Sequence, residues 1–232
     1  MVKTKRTVVK RLVRKDRKAG DRVKLAQRNE HLLRCAGELF LEHGYAGVSI
    51  EMIVAEVGGS YRDLYREYGD KEALFERVIK LICGEVMAPL RLSTVGTNVQ
   101  NMPIEEALFS FARLFLNGIL SSRVIALHRL IVSEATRFPK LPKIFMAQGP
   151  EAAYATMGAF LQACCAAERL TIRDPNLASR LFIDMITSDL QLRVLTGTTL
   201  YQADIDARVR AGTQLFIAGL REIAEGRVGR IG

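Results

Sequence analysis

An all-α fold, with a module of short helices ahead of longer ones, is predicted by three features of the 232-residue sequence. Apolar residues recur three and four apart, no stretch alternates polarity long enough for a strand, and Gly and Pro punctuate the apolar runs. The composition, 49% hydrophobic and 25% charged, is that of a globular protein and excludes collagen-like, disordered and disulfide-scaffold classes. The uncharged run from Ala152 to Ala167 falls short of the roughly 20 apolar residues that cross a bilayer. No membrane partner is therefore expected. Cys35, Cys83, Cys164 and Cys165 show no metal-ligand or CxxC spacing, so no metal or cofactor is expected and a reducing cytoplasm fits best.

The first helix carries Leu32, Leu33, Ala36, Leu39 and Phe40 on one face and ends near Gly44. Ser49 is a good N-cap for a short second helix, with Glu51 in its first turn where a carboxylate suits the helix dipole. Gly58 and Gly59 stop it. A third helix runs from Tyr61 to Tyr68 behind Ser60, and a fourth starts after Asp70 and continues through Leu74, Phe75, Val78 and Leu81. The rest reads as longer helices over about 103–120, 123–137, 142–148, 150–168, 175–196 and 204–226. Asp174 followed by Pro175 marks one start plainly, an N-cap before a proline at the first helical position.

The net charge of +9 is confined to the beginning of the chain. Residues 1–27 hold 11 Lys and Arg against Asp16 and Asp21, and the remainder is neutral. Such a block repels itself and reads as a flexible, solvated arm that seeks a polyanion, nucleic acid first, with Lys10, Arg11 and Arg14 among its contacts. A solubilising tail, or a basic amphipathic turn through Val8, Val9, Leu12 and Val13 on an anionic membrane, are the competing readings. Residues 28–83 carry a net charge of −3, with 7 basic and 10 acidic side chains. A domain of that sign needs the arm to approach phosphates.

The second helix, the glycine turn and the third helix form a helix-turn-helix, the unit that lays its second helix in a DNA major groove. At 100° per residue, Arg62 and Arg66 fall about 160° and 200° from Leu64, directly away from the core. They are a like-charge pair one turn apart, as are Asp63 and Glu67, a pattern mildly unfavourable in solvent. Guanine edges or phosphates would complete the two guanidinium forks, and Asp63 can accept from a cytosine amino group. A plain solvent face with an Asp63–Arg66 pair is the alternative. Lys71, a cation at the first position of the fourth helix, opposes the helix dipole, a conflict that a bound phosphate would resolve. Tyr65 is placed to donate its hydroxyl to a neighbouring phosphate.

The stretch from Arg28 to Phe75 resembles the DNA-binding domain of TetR-type transcriptional repressors. The Leu39-Phe40, Gly44-Tyr45, Ser49-Ile50, Leu64-Tyr65 and Gly69-Asp70-Lys71-Glu72-Ala73-Leu74-Phe75 elements carry the likeness. The resemblance implies DNA contacts from Ser49, Ser60, Tyr61, Tyr65 and Lys71. It departs at Gly59, Arg62, Asp63 and Glu67, where the family often has apolar, glycine, small, and aromatic or His residues respectively. It divides the chain into the arm (1–27), the helix-turn-helix domain (28–83) and a helical effector-binding and dimerisation domain (84–232). It also implies a homodimer on palindromic double-stranded DNA, released by a small-molecule effector. Phe111, Phe115, His128, Tyr154 and Met157 are candidate effector contacts, with Arg129 and Glu134 as further polar candidates. Phe182, Ile183, Met185 and Ile186, with Leu215, Phe216, Leu220 and Ile223, are the expected dimer faces. A helical architectural DNA binder without an effector is the alternative. Catalysis is not expected: His128 is the one plausible general base, and no phosphate loop, nucleophile elbow or metal spacing accompanies it.

Overall fold

The computed structural model describes the backbone of residues 2–96, 102–170 and 172–224, and side chains over 23–92, 102–170 and 172–222. Within these residues there are ten helices and no strand: α1 (Val2–Gly47), α2 (Ile50–Val57), α3 (Tyr61–Tyr68), α4 (Lys71–Gly96), α5 (Ile104–Ile119), α6 (Ser122–Glu134), α7 (Lys140–Gln148), α8 (Pro150–Ala167), α9 (Pro175–Leu195) and α10 (Gln202–Ala224). The chain divides into two compact units after Val78, inside α4.

Two elements differ from the sequence reading. The basic segment, expected as a flexible arm, is helix continuous with α1 back to Val2. Lys, Arg, Leu and Ala are good helix formers, and no proline interrupts them. The side chains of Lys10, Arg11 and Arg14 lie outside the described residues. The α4 helix runs well past Leu81, through Pro89 to Gly96, because neighbouring packing tolerates the one backbone bond that an internal proline removes. The first helix does break at Gly44, whose φ of 75° is non-helical, although helical residues resume to Gly47.

In the first unit α2 packs on α1 and α3. Its core joins Phe40, Tyr45 and Phe75, with ring centroids 4.7 to 5.8 Å apart. Ala36, Val48, Ile50, Ile53, Leu64 and Leu74 are buried in the same unit. Together these contacts hold the two short helices, each too brief to be stable alone.

In the second unit α8 packs on α9, and α10 on α5 and α9. Phe111 stacks on Phe160 with centroids 4.9 Å apart, and Phe182 meets Phe216 at the same separation. All four belong to one apolar core with Leu108, Met157, Leu161 and Ile186.

Candidate nucleic-acid interface and effector cavity

The helix-turn-helix starts and stops by local chemistry. Ser49 Oγ accepts the Met52 amide at 3.2 Å and Ser60 Oγ accepts the Asp63 amide at 3.1 Å, each satisfying a free N–H of a first turn. Between them Gly58 and Gly59 adopt φ of 71° and 109°, conformations that side chains with a Cβ rarely take. A Cβ on Gly59 would also sit 3.0 Å from the Arg28 guanidinium. Two of the four departures from the family pattern meet neighbours on α1: Arg28 beside Gly59, and Asn29, whose side-chain amide donates to Glu67. Both partners were missed in the sequence, because thirty or more residues separate each from its counterpart.

The outer face of α3 is more internally paired than its wheel suggests. Ser60 Oγ donates to Asp63 Oδ2 at 2.8 Å, and Arg66 donates to Asp63 Oδ1 at 2.6 Å. The Ser60 hydroxyl and then the Arg66 guanidinium hold the Asp63 carboxyl below the usual carboxylate range. Asp63 therefore serves the cap and steadies Arg66, so the solvent-face pair weighed above does form. The Ser60 hydroxyl has used both its proton and a lone pair within the protein, whereas Ser49, among the described residues, only accepts. Arg62 is exposed and, among the described residues, has no ion-pair partner. Tyr61 and Tyr65 stand exposed beside it with ring centroids 4.6 Å apart. The neighbouring Tyr65 hydroxyl pushes Tyr61 up to about 12.

Lys71 requires a correction. Its ammonium donates to the Val48 carbonyl at 2.7 Å and lies 4.6 Å from the Tyr45 ring centroid. The unfavourable position at the start of α4 is thus offset inside the protein, and no phosphate is needed to explain it.

The second unit encloses a cavity of about 140 Å³. Met87, Phe115, Ile119, Val124, Phe145 and Ile183 supply apolar wall, and Tyr154, Asp184, Thr187 and Gln191 the polar groups. Of the five expected effector contacts, Phe115 and Tyr154 line it. Phe111 and Met157 are spent on the core, one turn away along α5 and α8, where Phe160 covers Phe111. His128 stands behind the wall, with Nδ1 3.3 Å from Gln191 Nε2 and its ring against Phe145. Burial holds its imidazole below the ordinary value. Arg129 lies outside this cavity and lines a separate, more open hollow with Leu120, Ile125 and Thr198; it donates to the Val194 and Leu195 carbonyls at 2.9 and 3.1 Å, satisfying the end of α9. The polar residues at 184, 187 and 191 were missed, although their spacing of three and four along an apolar helix is a legible signal. Cys83 also lines the cavity, and burial pushes its thiol up to about 11.

The expected dimer faces need correction in part: Leu215 is exposed as expected, whereas Met185 and Leu220 pack partly against the core. Phe182, Ile183, Ile186 and Phe216 are buried within the chain itself, because α8, α5 and α10 already cover that side of α9. The apolar residues left outside are Leu177 (53% exposed), Leu181 (55%) and Leu192 (62%) on α9, and Leu215 (68%) on α10. The Ile223 side chain lies outside the described residues.

Residues 32–78 match the family model of bacterial regulatory proteins, tetR family, and residues 106–219 match that of the AefR-like transcriptional repressor, C-terminal domain. The chain is 31% identical to the flavonoid-responsive regulator FrrA, over 84% of this chain and 97% of that one, with a TM-score of 0.68. It belongs to the TetR family of DNA-binding transcriptional regulators. A TetR-family regulator from Mesorhizobium loti MAFF303099 shares the fold at a TM-score of 0.75 and 23% identity, over 84% of this chain and 96% of that one. So does the regulator FadR from Bacillus subtilis, in complex with stearoyl-CoA, at 0.62 and 14%, over 81% and 97%. No curated protein matches the chain. Among the described residues of this TetR-family regulator, no single helix is long and apolar enough to cross a membrane.

Proposed function

We propose that this TetR-family chain represses transcription as a homodimer on a palindromic operator and is released by a small-molecule effector. The observation that carries the reading is the outer face of α3, where Arg62, Tyr65 and Arg66 stand exposed on a helix held by its own caps. Arg62 reads a base edge, since its fork is uncommitted and guanine offers O6 and N7 to match it. Arg66, aimed by Asp63, reaches a second base or a phosphate. Ser49 and Tyr65 donate to phosphates, Tyr61 supports Tyr65, and Ser60 and Lys71 shape the frame from which these groups project. Lys10, Arg11 and Arg14 supply contacts to phosphate that do not depend on sequence, offsetting the negative charge of residues 28–83.

Leu177, Leu181 and Leu192 on α9 and Leu215 on α10 form the seam with a second copy. Four exposed leucines on neighbouring helices are what a twofold contact would bury. Such a dimer presents two recognition helices to successive major-groove turns, about 34–36 Å apart or more. Effector and DNA favour different separations of these helices, so each weakens the other's binding by the same factor. Regulation by small molecules is supported by the cavity and by two relatives whose names carry such ligands, a flavonoid and stearoyl-CoA. The function is one of binding rather than catalysis.

Selection of random duplexes by the purified protein, followed by sequencing, tests the reading. An inverted repeat with half-sites one helical turn or more apart is the expected product. A set of recovered sequences with no shared motif points instead to an architectural DNA binder.

A further inference from the structure

The cavity beside Phe115 and Phe145 has an apolar body and one polar wall, whose single formal charge is the Asp184 carboxylate and whose donors, the Tyr154 hydroxyl and a Gln191 N–H, are neutral. Asp184, Thr187 and Gln191 occupy one face of α9, at spacings of three and four. Thr187 gives its proton to the Ile183 carbonyl at 2.7 Å and turns only lone pairs elsewhere. Gln191 Nε2 lies 3.3 Å from His128 Nδ1, which leaves the amide oxygen and one N–H uncommitted. Asp184, when ionised, can only accept. Among the described residues no Lys or Arg lines the cavity. Two guanidinium groups lie beside lining residues: Arg180 covers the Tyr154 ring at 4.4 Å and is tied to Glu151 at 2.6 Å, and Arg123, next in sequence to Val124, is tied to Glu85 at 3.0 Å. Around Tyr154 two carboxylates, Asp184 and Glu151, thus face one cation that is already paired.

Resting on the reading that this cavity is the effector site, we propose that it takes a compact apolar or aromatic molecule, neutral or cationic, bearing amine or phenol donors. Carboxylates and phosphates are excluded, and Asp184 makes the distinction. An anion entering here would meet the exposed Asp184 carboxylate and only neutral donors, because the guanidinium groups beside the cavity are already paired with Glu151 and Glu85. A donor on the ligand instead meets the lone pairs of Asp184, Thr187 and Gln191 while its apolar body fills the space beside Phe115 and Phe145. Asp184 also lies in line with Leu181 and Leu192 on the outward side of α9. A second copy seated there strips water from the carboxylate and strengthens its preference for a positive or donating partner.

Three probes of the same size test the assignment: 2-naphthylmethylamine, 2-naphthol and 2-naphthoate, titrated calorimetrically against the full-length protein. Displacement of operator DNA is followed in parallel by fluorescence anisotropy. The amine and the naphthol are expected to bind at least about tenfold more tightly than the carboxylate. Asp184→Asn reduces the advantage of the amine over the carboxylate to below about threefold, and Asp184→Lys reverses it. Equal or tighter binding of 2-naphthoate, an unchanged ratio in both variants, or no binding of any probe overturns the proposal. Probes that bind in the expected order and leave operator DNA in place uphold the ligand class while refuting the effector reading.

Discussion

Each eight-residue helix of the helix-turn-helix carries its own start and stop, whereas α5, α6, α7 and α8 of the second unit begin with no side-chain cap bond. Ser49 and Ser60 lie next to the helices they cap, and Gly58 and Gly69 end them. In the second unit distant residues do part of this work. Glu168 accepts the first amide of α5 at 2.9 Å, and Arg129 closes the end of α9. Length alone does not set the difference, because the nine-residue α7 has no cap bond and the 21-residue α9 takes one from Asp174. The two short helices of the motif rely on explicit local signals to offset their nucleation cost. In the second unit α7 is held by its packing on α6 and α8, and α5, α6 and α8 bury apolar faces, so their ends are left to whatever packs nearby.

The largest test of this contrast removes a core ring from each unit. Phe40→Ala and Phe182→Ala, both at fully buried positions, should each cost about 3–5 kcal/mol in chemical denaturation. A much smaller loss for Phe40→Ala would mean that caps, rather than burial, dominate the first unit. Next in size is Arg62→Ala. It should weaken binding to the preferred operator by about 1–3 kcal/mol and relax selectivity at one base position in each half-site. Arg66→Ala should relax selectivity less, since Asp63 already engages that guanidinium.

Cap removal then compares the two devices directly. Ser60→Ala should cost about 1 kcal/mol and speed amide exchange over residues 61–68. Arg129→Ala, which strips an exposed cation from the end of a long helix, should cost about 0.3–1 kcal/mol and affect only the last turn of α9. Equal losses at the two sites would remove the distinction between local and distant capping.

The smallest effect is one of pH. Burial holds the His128 imidazole below its ordinary value near 6.5, so the unfolded chain takes up the proton first as the solution is acidified. The contribution of His128 to stability is complete above that value and declines as pH falls from 6.5 toward the lower folded value. His128→Gln should flatten the dependence of the denaturation midpoint on pH in that window. An unaltered slope would place the proton elsewhere.

The sequence by itself determined the helical class, the order of the helices and the boundaries of the motif, because spacing, caps and glycine turns act over a few neighbouring residues. It also placed Arg62 and Arg66 outward, a matter of helical geometry alone. Tertiary structure decided what no local pattern contains. It turned Lys71 to the Val48 carbonyl, bound Glu67 to Asn29, and gave Arg129 to the end of α9. It divided the apolar residues of α9 between a private core and an outward stripe, and those of α5 and α8 between core and cavity wall. Periodicity says that a helix has an apolar face, but which neighbour covers which turn depends on contacts between residues far apart in the chain.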